Sequence, residues 1–191
     1  MAPEVEAVVI SQVHALDVRE RLVLSAEQVE VRWFAAYTSA NHEKRVAEQL
    51  MQRSVEHFLP LYGSLRKWRD RSVKLDLPLF PGYVFVRLAI RDRLRVLQTP
   101  GVAKLVGFNG MPAALPDDEI EALKKGMVRG VRAEPHPFLS VGRRVRVKAG
   151  PLEGVEGIVV RRKNRLRLVI SLDLIHRAAA VEVEAADLER I

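Results

Sequence analysis

The spacing of apolar residues changes along the chain and divides it into two regions of different predicted structure. Between residues 31 and 128, apolar runs typical of strands alternate with stretches whose apolar residues recur at helical spacing. This order predicts a small α/β sandwich, with helices packed on a mainly antiparallel sheet. The first helix would be capped by Ser39 or Asn41. The predicted elements are strands at 31–37, 55–62, 83–88 and 102–108, an exposed hairpin or loop at 65–77, and helices at 42–51, 92–98 and about 115–128.

From residue 140 onwards the pattern consists of short strands separated by tight turns. Gly150, Gly154 and Gly157 are expected to let the chain turn tightly between strands. Several short strands at this spacing predict a small β-barrel, so the whole chain has an α+β fold. The composition of the intervening stretch is typical of a linker. The predicted organisation is an N-terminal extension at 1–30, a first domain at 31–128, a linker at 129–139 and a second domain at 140–191.

The run Leu77-Pro78-Leu79-Phe80-Pro81-Gly82-Tyr83 precedes the strongest predicted strand and restricts the backbone more than any other segment. Pro81 fixes one backbone angle and Gly82 accepts angles that other residues avoid, so the pair forces a turn. Large apolar side chains lie on both sides of it. Such a segment either forms a buried core element or presents an aromatic surface to a partner, and the residues alone leave both interpretations open.

The composition excludes several classes of protein. Hydrophobic residues make up 48% of the chain, which is enough for real cores and argues against wholesale disorder. No apolar run approaches the length of a membrane span and no signal-peptide pattern opens the chain, so we expect a cytoplasmic protein without membrane contact. Cysteine is absent, which excludes disulfides and thiolate chemistry and agrees with a reducing compartment.

The net charge of +7 is unevenly distributed. Residues 1–30 carry two basic and six acidic side chains, whereas residues 31–191 carry 29 basic and 18 acidic ones. The basic excess suggests a polyanionic partner, with nucleic acid as the first candidate. An ordinary basic surface would give the same composition, and charge alone does not separate the two.

No arrangement of residues in the sequence indicates catalysis. The five histidines are scattered without metal-ligand spacing, and Asp117-Asp118 is better explained as the start of a helix than as an acid–base pair. Phosphate-cradling glycine loops and nucleophile motifs are absent. We therefore predict a protein that acts by binding, with no catalytic residue, no metal and no cofactor.

Two basic segments are candidates for nucleic-acid contact. In the first, basic groups would meet phosphates while a tryptophan stacks on an exposed base. The second is the dense basic cluster at residues 161–167, which could contact RNA. A solvated hairpin is the ordinary alternative in both cases. The candidates of the first segment are Arg66, Lys67, Trp68, Arg69 and Arg71.

Four segments of the chain, in the order in which they occur, resemble the NusG family of transcription factors. The last of them resembles the KOW motif of that family. The resemblance covers roughly residues 32–191, and it implies a NusG N-terminal domain followed by a small SH3-like β-barrel, the KOW domain. The segments are Trp33-Phe34-Ala35-Ala36-Tyr37, Phe80-Pro81-Gly82-Tyr83-Val84-Phe85-Val86, residues 101–108 and residues 145–159.

The resemblance also implies a mechanism. In this family the N-terminal domain lays an aromatic, apolar surface on the coiled-coil clamp helices of RNA polymerase and favours processive transcription. The alternative is that the same side chains are core residues, and for Trp33 we favour the core. The start of the first helix would face upstream DNA, through His42, Lys44 and Arg45. By motif position, the polymerase-binding residues would be Trp33, Tyr37, Phe80, Pro81 and Tyr83.

The KOW domain of the family recruits a second partner, either Rho or a ribosomal protein of the small subunit. Here Leu174 and Ile175 could equally be core residues of the barrel. Positions 152 and 175 are often aromatic in the family, and together with the acidic extension they suggest a specialised, monomeric paralogue in the manner of RfaH. The candidate partner-binding residues are Leu152, Leu174, Ile175 and Arg177.

A second hypothesis is a ribosome-associated RNA-binding protein, because KOW barrels also occur in ribosomal proteins. Such a protein has no need to expose an aromatic turn at residues 80–83. Exposure of that turn therefore discriminates between the two hypotheses.

Overall fold

The computed structural model describes residues 29–68, 71–138, 142–162 and 165–191. Residues 1–28, most of the predicted extension, lie outside this description. A 3₁₀ turn, Ile90–Asp92, precedes the second helix. The elements up to residue 128 are strands β1 (Val31–Thr38), β2 (Glu56–Phe58), β3 (Leu61–Trp68), β4 (Arg71–Pro78), β5 (Tyr83–Ala89), β6 (Val102–Leu105), β7 (Gly107–Phe108), β8 (Met111–Pro112) and β9 (Ala114–Leu115), and helices α1 (Glu43–Gln52), α2 (Leu94–Leu97) and α3 (Asp117–Val128).

Strand β1 is the centre of the N-terminal sheet, which consists of β2, β5, β1, β6 and β9. β5 pairs antiparallel along one edge of β1, with Phe34 opposite Val86 and Tyr37 opposite Tyr83. β6 and β9 pair antiparallel with β1 as well. The prediction of a mixed α/β chain with mainly antiparallel sheets is confirmed.

Both faces of β1 are buried. Successive side chains of a strand point to opposite faces of its sheet. Phe34 packs in a cluster with Leu50 of α1, whereas Trp33 packs in a second cluster with Leu123 of α3. Because each face needs apolar groups, β1 carries them at consecutive positions, which explains the unbroken run at 33–36.

The first helix begins without the predicted cap. His42 is its N-cap residue, and no side chain caps it, so the expectation that Ser39 or Asn41 would do so is wrong. Asn41 has a φ of 61° and turns the chain from β1 towards α1 one residue ahead of the cap position. The first turn of α1 carries Glu43, whose negative charge suits the helix N-terminus.

The second half of the chain forms a six-stranded antiparallel sheet, the C-terminal sheet. A 3₁₀ turn, Asp173–Ile175, connects its fourth and fifth strands, counted in chain order over the described residues. One apolar cluster runs through this sheet and into the N-terminal sheet. The strands are β10 (Ala133–His136), β11 (Arg143–Val147), β12 (Glu156–Arg162), β13 (Arg165–Leu172), β14 (Arg177–Val183) and β15 (Leu188–Arg190), in the spatial order β10-β14-β13-β12-β11-β15.

Strand β10 lies within residues 129–139, the stretch predicted as a linker. It pairs with β14, and Pro135 stands opposite Ala179. Proline lacks an N–H donor, but an edge strand needs donors on one side only and therefore tolerates it. The prolines that suggested irregular chain are thus compatible with an edge strand.

Several predicted elements differ in extent. The hairpin predicted at 65–77 is present as β3 and β4, which pair from Leu61 and Pro78 outwards. The strand predicted at 102–108 is divided into β6 and the short β7–β8 hairpin around Asn109 and Gly110. β9 and β15 were not predicted, because two or three residues are too short to show a period.

Along the described ranges, none of the helices combines the length and apolar character needed to cross a membrane.

Gly157 stands inside β12 and not at a turn, contrary to prediction. A Cβ at this position would lie 2.5 Å from the backbone oxygen of Val169 in the neighbouring strand. Only glycine therefore allows β12 and β13 to approach this closely. Gly150 and Gly154 have φ values of 93° and 84° and do form the tight turn between β11 and β12.

Replacing Gly157 with alanine should lower the free energy of unfolding by about 1–3 kcal/mol, since a backbone oxygen cannot move aside cheaply. Urea unfolding followed by circular dichroism measures the loss. Gly63→Ala is the matched control, because a Cβ there would meet side-chain atoms and no backbone, the nearest being Cε of Lys74 at 3.0 Å. Equal losses for the two variants would contradict the steric explanation.

Candidate functional site

A tight turn at residues 79–83, which we call the Pro-Gly turn, leads into β5. The carbonyl oxygen of Phe80 accepts a hydrogen bond from the N–H of Tyr83 at 3.1 Å. Gly82 has a φ of 86°. Proline at the second position and a positive φ at the third are the features of a type II turn. The turn that the Pro81-Gly82 pair predicts is therefore present.

Hydrogen bonds from β1 and α1 hold the backbone of the Pro-Gly turn. The carbonyl oxygen of Gly82 accepts the N–H of Thr38 at 2.8 Å. The N–H of Gly82 donates to Oε1 of Glu43 at 2.7 Å. Cε2 of Tyr37 would lie 3.3 Å from a Cβ at Gly82, so this ring packs on the turn. The backbone of Gly82, and with it the exposed part of the turn, is consequently held in place by β1 and α1.

Three of the five predicted polymerase-binding residues reach the surface together. Tyr37 is 41% exposed, Pro81 is exposed and Tyr83 is half-buried. The rings of Tyr37 and Tyr83 pack with their centroids 5.4 Å apart. This pair and Pro81 form one surface, which we call the aromatic surface.

The other two predicted residues, Phe80 and Trp33, are core residues in this arrangement. Phe80 is 1% exposed and makes an edge contact with Phe85, with the ring centroids 5.6 Å apart. Trp33 is fully buried, and Nζ of Lys124 lies 4.8 Å from its ring centroid. For Trp33 this agrees with the preference for a core role.

The C-terminal sheet packs on the N-terminal half beside the aromatic surface. The guanidinium carbon of Arg177 lies 6.0 Å from the ring centroid of Tyr83. Leu152 packs against α3, where a Cβ at Gly126 would come within 2.6 Å of its Cδ2. Leu174 and Ile175 belong to or pack against the apolar cluster that the two halves share. The residues predicted to bind a second partner are therefore used in this internal contact.

The predicted nucleic-acid residues occupy two places. His42, Lys44 and Arg45 are exposed at the start of α1. Lys67 and Arg71 are exposed on the β3–β4 hairpin. Of the remaining candidates, Arg66 and Trp68 lie on β3. Arg69 lies outside the described residues.

A cavity of about 770 Å³ lies between α3 and the C-terminal sheet. Burial, followed by the charges of Asp118 and Asp173, raises the pKa of Glu119 to about 7 from its ordinary value of 4.5. Asp173 comes from the C-terminal sheet, so packing of the two halves brings like charges together. The titratable and charged residues that line the cavity are Asp118, Glu119, Glu121 and Lys125 of α3, Arg144 of β11, and Glu153, Glu156, Asp173 and His176.

Sequence reasoning missed Glu43 and Glu119. A carboxylate in the first turn of a helix is expected to face solvent, and the Glu43 contact joins residues 39 positions apart. Glu119 follows two aspartates at the start of α3, which indicates a helix start and not a buried group. Among the residues that the structure describes, no three His, Asp or Glu side chains are arranged to hold a metal ion.

Comparisons with known proteins agree with this architecture. A family model described as "Transcription termination factor nusG" matches residues 31–124. The NusG protein of Staphylococcus carnosus is 30% identical over 185 residues, which cover 88% of this chain and 100% of that protein. The NusG protein of Rickettsia felis is 26% identical over 168 residues, which cover 80% and 88%. A solved structure described as "Domain interaction in Thermotoga maritima NusG" aligns with a TM-score of 0.56 at 21% identity, covering 86% of this chain and 99% of that one.

The fold and the site define a mixed α/β protein with an aromatic turn at its surface, held by hydrogen bonds from β1 and α1. The match along the whole Staphylococcus protein shows the family. The chain belongs to the NusG family of transcription termination and antitermination proteins, which are transcription factors and not enzymes. The likeness to the Thermotoga structure shows a shared fold.

The raised pKa of Glu119 predicts that the folded structure loses stability as the pH rises. The protonated form is favoured by folding, so its contribution is fully present below pH 4.5 and is lost as the pH rises through about 7. We expect a loss of about 1–2 kcal/mol, less than the full shift implies because the group is partly solvated.

Thermal unfolding of the protein and of Glu119→Gln between pH 4.5 and 8 measures this effect. The variant should match the wild type at pH 4.5 and exceed its stability at pH 8. Glu48→Gln, an exposed change on α1, serves as the control. A constant difference between wild type and Glu119→Gln across this range would refute the linkage.

Proposed function

We propose that this protein is a transcription elongation and antitermination factor that binds the clamp helices of RNA polymerase and promotes processive transcription. The observation that carries the proposal is the aromatic surface, where Tyr37, Pro81 and Tyr83 are presented by a backbone held from β1 and α1. Membership of the NusG family supports a partner in the transcription machinery.

The physical properties of the aromatic surface suit a protein partner. Aromatic side chains bury a large area and have few rotatable bonds, so they lose little entropy on binding. A turn already held by hydrogen bonds adds little further ordering cost. An exposed aromatic surface of this kind disfavours the alternative of a ribosome-associated RNA-binding protein, and family membership does not support that alternative.

The proposal includes a role for the C-terminal sheet as a KOW barrel that recruits a second partner, either a small-subunit ribosomal protein or Rho. Its candidate residues Leu152 and Ile175 are buried in the apolar cluster that also holds Phe80. The contact between the two halves therefore covers the second-partner residues, while Tyr37 and Pro81 of the aromatic surface stay exposed. The two halves separate when the protein engages polymerase, which uncovers Leu152 and the side of Tyr83 that Arg177 covers.

Nucleic acid is the third proposed contact. His42, Lys44 and Arg45 lie on the helix start that adjoins the Pro-Gly turn through Glu43, so phosphates next to the polymerase contact would be within their reach. Lys67 and Arg71 would extend this contact along the hairpin. The aliphatic residues at positions 152 and 175 support a specialised paralogue in the manner of RfaH.

Replacing Tyr83 with alanine should weaken binding of the full chain to isolated clamp helices by about tenfold to a hundredfold, because it removes the central ring of the aromatic surface. Titration calorimetry measures the affinity, and read-through on a pausing template measures the consequence. Phe108→Ala, which removes an exposed ring on β7, is the matched control. Unchanged affinity and read-through in a folded Tyr83→Ala protein would refute polymerase binding by this surface.

Replacing Gly126 with leucine should separate the two halves, because even a Cβ at this position comes within 2.6 Å of Leu152. Since separation uncovers the side of the aromatic surface where Arg177 lies against Tyr83, affinity for the clamp helices should rise by up to about tenfold. X-ray scattering should show a larger radius of gyration. Val128→Leu, an exposed change on the same helix, is the control. An unaltered radius and affinity would contradict masking by the C-terminal sheet.

A further inference from the structure

Glu43 is a charged residue in an unusual, buried position of the N-terminal half. Its side chain is 5% exposed, although its neighbours His42 and Lys44 are exposed. A buried carboxylate is costly unless hydrogen bonds and favourable charges compensate for the lost water. Here it accepts the N–H of Gly82 at 2.7 Å and lies in the first turn of α1, where the helix dipole favours negative charge.

The hydrogen bond to Glu43 involves the one peptide group that distinguishes the two common forms of this turn. Type I and type II turns share the bond between the first and fourth residues and differ by a flip of the central peptide. In the Pro-Gly turn that peptide joins Pro81 to Gly82, and its N–H is the donor to Glu43. Glycine at the third position permits both forms, so the turn residues alone do not choose between them.

We propose that Glu43 is a positioning residue that selects the type II form of the Pro-Gly turn and thereby shapes the aromatic surface. Only the second part of this inference, the effect on the aromatic surface as a partner surface, rests on the proposed function. In the flipped form the Pro81 carbonyl would face the Glu43 carboxylate, and the two oxygens would repel each other. The selected form leaves Gly82 against the Tyr37 ring, which in turn packs on Tyr83. Glu43 thus acts on the partner surface without touching the partner.

Three variants of the full chain separate this role from simple stability. Glu43→Gln retains an oxygen that accepts the same bond, Glu43→Asp retains the charge but draws the oxygen back, and Glu43→Ala removes the acceptor. Glu48→Ala, exposed on the same helix, is the control. The readouts are hydrogen exchange of the Gly82 amide, with the Val86 amide in β5 as the internal reference, and affinity for isolated clamp helices.

We expect Gly82 exchange to quicken by about tenfold or more in Glu43→Ala and Glu43→Asp while Val86 is unchanged. Glu43→Gln should exchange at a rate between those of the wild type and Glu43→Ala, because its amide oxygen still accepts the bond but no longer repels the flipped carbonyl. Glu48→Ala should behave as the wild type. Clamp-helix affinity should fall about threefold to tenfold in Glu43→Ala and Glu43→Asp and recover in part in Glu43→Gln. Equal Gly82 exchange in all four variants would overturn the proposal, as would a Glu43→Gln protein that exchanges as fast as Glu43→Ala.

The two proposals fail in different ways. If neither the wild type nor the Gly126→Leu variant binds the clamp helices, the proposed function is refuted. The role of Glu43 in selecting the form of the turn is tested separately, by exchange of the Gly82 amide. Loss of Val86 protection in Glu43→Ala would mean that this variant unfolds. In that case the Gly82 exchange rates of Glu43→Gln and Glu43→Asp decide whether Glu43 selects the form of the turn.

Discussion

Strand β1 is the element on which the N-terminal sheet and the Pro-Gly turn depend. Its backbone pairs with β5, β6 and β9, and its side chains are buried on both faces. The helices α1 and α3 contribute to clusters on opposite faces because consecutive residues such as Trp33 and Phe34 each need an apolar neighbour. The last residues of the same strand, Tyr37 and Thr38, contact the Pro-Gly turn. The aromatic surface is thereby attached directly to the core.

The C-terminal sheet makes the second half of the structure depend on the first. Exposed apolar area is unfavourable in water, and packing the two halves together removes part of that cost. The same contact places Glu119 of α3 near Asp173, which opposes it once both groups are charged. Apolar burial and carboxylate repulsion therefore act in opposite directions across one contact. The proposed separation of the two halves would depend on this balance.

The comparison of predicted and observed elements shows where local rules suffice. The strand at 83–88, the hairpin at 65–77 and the last helix are present because apolar period and turn residues act over a few positions. The cap at Ser39 or Asn41 was wrong, because the exit geometry of β1 decides which residue precedes α1. β10 was missed because its prolines become acceptable only at the edge of a sheet that β14 supplies.

The amino-acid sequence by itself determined the class of fold, the position of the rigid turn and the resemblance to a transcription factor family, since these depend on residue types at short spacing. The tertiary structure alone decided which aromatic residues face solvent, because Tyr83 and Phe80 belong to the same motif yet differ in burial. It also brought Glu43 to Gly82 and Glu119 to Asp173. Contacts between residues far apart in the chain follow from the packing of whole elements, and no local pattern encodes them.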